Sequence, residues 1–530
     1  MVLSARKGID WSKILGRLAF ALAPVIVCFL FALIQGVRLW ELDPLTSTAN
    51  DELFYFKQVE AIVRYGMPLG YYGYNGSTAA LGTFGAWGIF PLLPYVPFVW
   101  LAAQPSVMLW ANLCLVFVSF LLFHRLASPG PWQSLWLLLC FCALPSIQCY
   151  TLAFGVETLY FSGCVIMAGL TVWFTKNDAR GLRLWGFYAL VLYLALCRPY
   201  YAVFALLPGY FQCRASVKKG LLSFAAFTAL FLLLYLGLAS RLQAAYFFPI
   251  IDTQLLAALR DGGIGAFLRC ALGTLAGSIR SALEYMTSLL KSGGDAPSLW
   301  GVGSFYAAMA IAALVSFAGM LRGLVKKRGA AAGDCVFQVE LLCVLAALAI
   351  VLAIFEFYTA GAGSRHLIAI TLFLAFVDIM LLPPARPAPR QAAAVLLLLG
   401  GLALNQWRAS GNVRLFHLPN REDAPELHQA VTEAMPVLAG SMEISPERSR
   451  WDNTVMLAFQ ELSFTYGYGL PAGTGIQLPM DYWLYANAET VSARYILGGI
   501  EPSMMERLTE AGWTVVAQGA EYVLYERPGA

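Results

Sequence analysis

Apolar runs long enough to cross a bilayer recur along most of this chain, and they restrict its fold before any motif is read. They fall near 17–37, 107–123, 132–149, 158–174, 184–196, 200–212, 221–239, 302–321, 336–355, 367–382 and 392–405. A hydrocarbon core of about 30 Å takes about 20 helical residues, and open backbone is not tolerated there. Composition agrees, since only 12% of residues are charged where a soluble domain carries about 25%. The chain therefore reads as a polytopic α-helical membrane protein with about 11 transmembrane helices. The runs 184–196 and 200–212 are separated only by CRPY, as two short spans or as one long kinked segment. A further stretch, 84–101 (FGAWGIFPLLPYVPFVWL), carries Pro91, Pro94 and Pro97, which interrupt a helix ladder repeatedly. Its aromatics suit an interfacial or re-entrant segment rather than a crossing one.

The distribution of basic residues sets the orientation. With 84–101 not crossing, 17 of the 35 Lys and Arg fall in short connections on one side, from Arg6, Lys7, Lys13 and Arg17 to Arg386 and Arg390. That side is the cytosol by the positive-inside rule. The N-terminal run is longer than a signal-peptide core and no A-x-A site follows it, so it reads as an uncleaved anchor. Extracytoplasmic segments are then a first outer loop, 39–106, a large outer loop, 241–300, and the C-terminal part. The transmembrane region is 1–407 and an extracytoplasmic α/β domain is 408–530. In that domain NREDAPELHQAVTEAM reads as a helix, WDNTVMLAF and SARYILGG as strands, PSMMERLTEAGW as a helix ending at Gly512, and VVAQGAEYVLYER as a closing hairpin. GLPAGTG resembles a phosphate loop without its Lys-Ser/Thr ending, and an ordinary turn is the better reading.

Several function classes are excluded. A net charge of +4 and the lack of any recognition pattern give no reason to expect nucleic acid. The eleven cysteines lie almost wholly in apolar runs, and Cys140 and Cys142 lack a partner pair, so they read as small hydrophobes. No P-loop, G-x-S-x-G or H-E-x-x-H occurs.

The chemistry-bearing residues gather on the outer side. Asp51 and Glu52, in NDELFYFKQVEAIVRYG, follow the first span. Thr48 and Asp51 fit a helix-capping box, with Glu52 a first-turn acid favoured by the helix dipole. Asp51, Tyr55 and Gln58 share one helical face, and Phe54 and Phe56 would press the helix onto the membrane surface, which suits chemistry on a lipid-borne substrate. Glu157 stands where the third span leads into the fourth, and an acid beside a long span is costly without a partner or a role. Arg198 in CRPYY and Arg365 and His366 in GSRHL are outer cations against the positive-inside trend. Arg365 offers a fork matched to phosphate oxygens, and His366 can donate beside it; snorkelling anchors are the alternative. YYGYNGS (71–77) and Trp87 add stacking surfaces that suit sugars as well as an interface.

STANDELFYF after span 1, GVETLY at the exit of span 3, GSRHL, many spans and an outer C-terminal domain together resemble the GT-C superfamily. These glycosyltransferases use polyprenyl-phosphate sugars, and the likeness is to the ArnT- and protein-mannosyltransferase-like branch. The resemblance implies Asp51 as catalytic base toward the acceptor with Glu52 its neighbour. It implies Arg365, with His366 and Arg198, as ligands of the donor phosphate, and Glu157 and Tyr55 as positioning groups. The expected function is transfer of a sugar, hexose or pentose, with inversion, from a polyprenyl phosphate or diphosphate to an envelope glycan, lipid or protein outside the plasma membrane. No cofactor is expected: adjacent acids can bind a divalent metal, but two carboxylates without a D-x-D pair are a thin site. A lipid-linked-oligosaccharide polymerase or ligase and a membrane transporter are the alternatives; a transporter would need polar or broken helices at mid-membrane.

Overall fold

A computed structural model gives the fold, with residues 11–34, 50–74, 88–142, 145–153, 155–177, 181–242, 254–291, 335–357, 360–381, 425–458, 467–479 and 483–529 described. The bundle comprises α1 (Trp11–Ile34), α2 (Asn50–Tyr65), α3 (Val96–Leu101), α4 (Val107–Ala127), α5 (Pro131–Cys142), α6 (Pro145–Leu152), α7 (Glu157–Lys176), α8 (Leu182–Cys197), α9 (Leu206–Ala215) and α10 (Val217–Leu234). Then come α11 (Gln254–Lys291), broken at Gly263, α12 (Cys335–Phe357) and α13 (Ala360–Leu381). Among the described residues five helices are long and apolar enough to span a membrane, and three apolar segments are shorter: Phe90–Leu101, Leu182–Cys197 and His366–Leu381. The expected spans at 302–321 and 392–405 lie outside the described residues.

The proline-rich stretch folds as its sequence dictates. Phe90–Tyr95 is a 3-10 turn running into the short α3, and the twelve residues Phe90–Leu101 are too few to cross about 30 Å of hydrocarbon. The run expected at 132–149 divides into α5 and α6. The CRPY junction separates α8 from a 3-10 turn, Pro199–Ala205, with Arg198 extended between them. Helix α7 lies at the centre, packed between α4 and α13.

Beside the bundle lies a six-stranded sheet, ordered β1-β3-β2-β4-β6-β5. Its strands are β1 (Tyr72–Tyr74), β2 (Thr454–Leu457), β3 (Gly475–Leu478), β4 (Tyr495–Gly499), β5 (Thr514–Gln518) and β6 (Tyr522–Glu526). The first four pair in parallel, while β4, β6 and β5 form the antiparallel hairpin side. Strands at 454–457 and 495–499, a helix at Pro502–Glu510 before Gly512 at φ 88, and the closing hairpin lie where the sequence suggests them. Successive side chains alternate faces. Val455, Leu457, Ile476 and Leu497 face one cluster, and Met456, Ile496 and Val523 the other. The first face is covered by α14 (Pro425–Ser441) and the second by α15 (Trp483–Ala486) and α16 (Pro502–Glu510).

The sheet is not built from 408–530 alone. Its edge strand β1 belongs to the segment 39–106, between the first apolar run and α4, with Tyr72 opposite Ile476. Leu53 and Phe54 of α2 join the sheet's cluster, while Tyr55, Phe56 and Val59 join the bundle's. The expectation that Phe54 and Phe56 hold α2 against lipid is therefore corrected. Phe54 meets Tyr72 edge-on at 6.4 Å and Phe56 meets Tyr468 at 5.6 Å, so both rings are buried in protein on opposite sides of the helix.

GLPAGTG brackets the segment that follows α2. A Cβ on Gly70 would meet Gly475 backbone atoms at 2.4 Å, and one on Gly473, at φ 86, would meet Tyr65 at 2.8 Å. Gly70→Ala should accordingly destabilise the protein by about 1–3 kcal/mol through enforced overpacking. Gly16→Ala, with nothing within 4 Å of the added methyl, should melt like wild type. Thermal unfolding of the detergent-solubilised chain reads both, and equal melting of the two variants would contradict the close crossing.

Candidate functional site

Helix α2 begins at Asn50, which puts Asp51 and Glu52 in its first turn, where exposed backbone N–H groups favour carboxylates. Gly66, at φ 78, ends it with its N–H on the Ile62 carbonyl. Only the backbone of Asp51 and of Arg365, in the first turns of α13, is described. The other proposed residues have described side chains.

Three of them converge on one backbone atom and one cation. Gly155 ends the turn before α7, and a Cβ there would stand 2.8 Å from a Glu157 carboxylate oxygen and 4.0 Å from Glu52 Cγ. The two acids thus flank a residue that has no side chain, and both are buried, at 4% exposure for Glu52 and 6% for Glu157. Arg198 donates from Nη2 to Glu157 Oε1 at 3.3 Å, and its guanidinium lies over the Tyr160 ring at 3.6 Å. Its other arm reaches Tyr200 Oη at 3.5 Å, and Tyr200 Oη is 3.1 Å from His366 Nδ1. A connected path, Glu157–Arg198–Tyr200–His366, therefore runs from the start of α7 to the start of α13, with Glu52 of α2 beside its first member.

Burial makes this path energetically sharp. Arg198 is 1% exposed, and a guanidinium out of water needs a counter-charge, filled donors or a π-face. It has Glu157, Tyr200 and the Tyr160 ring, and Tyr201 backs Tyr160 at 5.9 Å. The turn carrying Gly155 is fixed from α4. Asn112 donates to the Ala153 carbonyl at 2.8 Å and the Gly155 carbonyl at 3.1 Å, while Tyr95 Oη donates to Asn112 Oδ1 at 2.7 Å. Tyr193 Oη holds the Phe90 carbonyl at 3.0 Å, seating the 3-10 turn that presents Tyr95.

Glu52, Glu157, Arg198 and His366 are thus brought together, whereas Tyr55 is packed into the bundle core at 8% exposure. Tyr95, Asn112, Tyr160, Tyr200 and Gly155 are site residues that the sequence reading did not single out. Asn112 had a signal, as a lone amide in an apolar run where unsatisfied polar groups are costly. Tyr160 had one too, a turn beyond Glu157 on the same helix face. Glu52 and Glu157 offer two carboxylates, and among the described residues no three of His, Cys, Asp or Glu gather as metal ligands.

On the sheet side, Lys57 is fully buried and donates to the Leu470 carbonyl at 2.5 Å as well as to Glu60. Burial draws its ammonium below the ordinary lysine pKa, and Glu60 opposes that shift.

The Glu157–Arg198 pair makes a direct prediction. Glu157→Leu leaves the guanidinium buried without its counter-ion and should destabilise the chain by about 3–5 kcal/mol. Adding Arg198→Met should restore most of that loss, because the pair is then replaced by apolar side chains of similar volume. Denaturation of all four chains in detergent gives the coupling energy; additive losses would contradict the pairing.

No protein-family model and no curated protein matches the sequence. Among solved structures, the chain is similar to an oligosaccharyltransferase from Archaeoglobus fulgidus, solved as a complex with Zn and sulfate. That likeness has a TM-score of 0.47 and 12% identity, over 94% of this chain and 72% of that one. It is also similar to ArnT from Cupriavidus metallidurans bound to undecaprenyl phosphate, with a TM-score of 0.38 and 12% identity over 98% of each chain.

Proposed function

We propose that this chain is an integral-membrane glycosyltransferase that moves a sugar from a polyprenyl-phosphate donor to a hydroxyl-bearing envelope glycan, lipid or protein on the extracytoplasmic face. The observation that carries the reading is the buried path from Glu52 and Glu157 through Arg198 and Tyr200 to His366. Acids at one end and cationic or hydrogen-donating groups at the other match the two demands of glycosyl transfer. The acceptor oxygen must lose a proton, and the departing phosphate must be stabilised as it takes the bonding electron pair.

The roles follow from that division. Asp51 or Glu52 in the first turn of α2 accepts the proton of the attacking hydroxyl. The acceptor oxygen forms the new bond to the anomeric carbon while the bond from that carbon to the phosphate oxygen breaks, with inversion. Arg365 and His366 at the start of α13, with Arg198, face the phosphate. Glu157 holds Arg198 in a single orientation, which keeps a donor fork aimed without further ordering during the reaction. The burial of Arg198 against Tyr160 excludes water from the same ground and strengthens each electrostatic contact there.

The proposed orientation puts Arg214, Lys218 and Lys219 on the cytosolic side and the sheet outside. Glycosyl transfer from a panel of undecaprenyl-phosphate hexoses and pentoses, using the purified full chain and an envelope lipid fraction as acceptor, tests the function. Asp51→Asn keeps the shape and most capping ability of the side chain. If Asp51 is the base, the variant should bind undecaprenyl phosphate normally and transfer at least about a hundredfold more slowly. An active Asp51→Asn with an inactive Glu52→Gln moves the base one residue along. Full activity in both variants would remove the support for a glycosyltransferase.

A further inference from the structure

Helix α2 is held from two sides. Toward the bundle it presents Tyr55, Phe56 and Val59, and toward the sheet Leu53 and Phe54, all buried apolar groups. Such contacts are non-directional, so they fix how deeply the helix is buried more firmly than its position along its own axis. On the sheet side there is also a directional contact between helix and loop. Lys57 Nζ donates to the main-chain carbonyl of Leu470, within the GLPAGTG bracket, and is paired with Glu60 one turn on.

A lysine with 0% side-chain exposure is costly, because its ammonium loses hydration that a few partners only partly replace. A methionine of similar length would fill the same space without that cost. What the ammonium adds is a point of attachment: a slip of α2 by one residue, about 1.5 Å along its axis, would break it. Glu52 lies five positions earlier on the same helix, with its Cγ 4.0 Å from where a Cβ on Gly155 would stand, so an axial slip of α2 would carry it along the α7 turn.

We propose that Lys57 is a positioning residue, whose bond to the Leu470 carbonyl sets the axial register of α2 and thereby the place of Asp51 and Glu52 against the α7 turn. The C-terminal sheet is then part of the machinery that aligns the acids. The catalytic consequence rests on the glycosyltransferase reading; the register itself does not.

Lys57→Met in the full chain separates the two. Hydrogen exchange of the purified protein in detergent should show at least about tenfold faster exchange across 50–57, with the strands at 454–457 and 495–499 unchanged and melting within a few degrees of wild type. In transfer from the best undecaprenyl-phosphate sugar of the panel above, kcat should fall at least about tenfold with the donor KM unaltered, because the proposed donor contacts lie on α8 and α13. Lys57→Arg, which keeps a cationic donor, should recover part of the loss. Wild-type exchange across α2 in Lys57→Met overturns the proposal whether or not the chain transfers sugar. A Lys57→Met chain that fails to fold, or that loses stability, kcat and KM in step, makes Lys57 a stabilising residue only and overturns it as well. Absence of transfer by the wild-type chain would refute the functional reading alone, with the register still decided by exchange.

Discussion

A guanidinium taken out of water at the end of a membrane bundle is the constraint around which the site is arranged. Arg198 cannot remain there without a counter-charge, and Glu157 supplies it from the first turn of the central helix. Glu157 is in place only because the preceding turn is held by Asn112 and Tyr95, and because Gly155 leaves room for a carboxylate against its α-carbon. The ring of Tyr160, three residues further along α7, supplies the second face of the arginine's pocket. One helix start therefore provides both anion and π-face, and the polar path continues through Tyr200 to His366 on α13.

The second organising feature is the burial of α2 between two layers. A helix carrying two acids in its first turn has little reason to be stable by itself at sixteen residues. Here it packs against the sheet with Leu53 and Phe54 and against the bundle with Tyr55, Phe56 and Val59. The segment after α2 then adds β1 beside β3, which satisfies main-chain groups that an open edge would expose. The bundle and the sheet thus meet through the very segment that bears the acids.

Much of this was legible in the sequence, for identifiable reasons. Spans announce themselves through length and hydropathy, so α1, α4, α7 and α12 coincide with runs visible beforehand. Proline spacing made 84–101 irregular, and turn chemistry marked the helix ending before Gly512 and the final hairpin. Glu52, Glu157, Arg198 and His366 stood out because charge beside an apolar run demands a reason, and they do meet. What stayed hidden depends on tertiary pairing. A three-residue strand such as β1 has no periodicity of its own and exists because β3 lies beside it. Phe54 and Phe56 looked like lipid anchors because an aromatic reads alike whether it faces acyl chains or a protein core. Gly70, Gly155 and Gly475 were ordinary glycines until the backbones that approach them were in view.

The central claim is that this buried path of acids and cations receives a lipid phosphate. A cryo-electron microscopy map of the full chain with undecaprenyl phosphate in lipid nanodiscs tests it most directly. Phosphate density between the first turn of α2 and the starts of α7 and α13, within contact of Arg198, Arg365 or His366, is the predicted result. Phosphate density only at the opposite end of the bundle, beside Arg214, Lys218 and Lys219, would contradict the account.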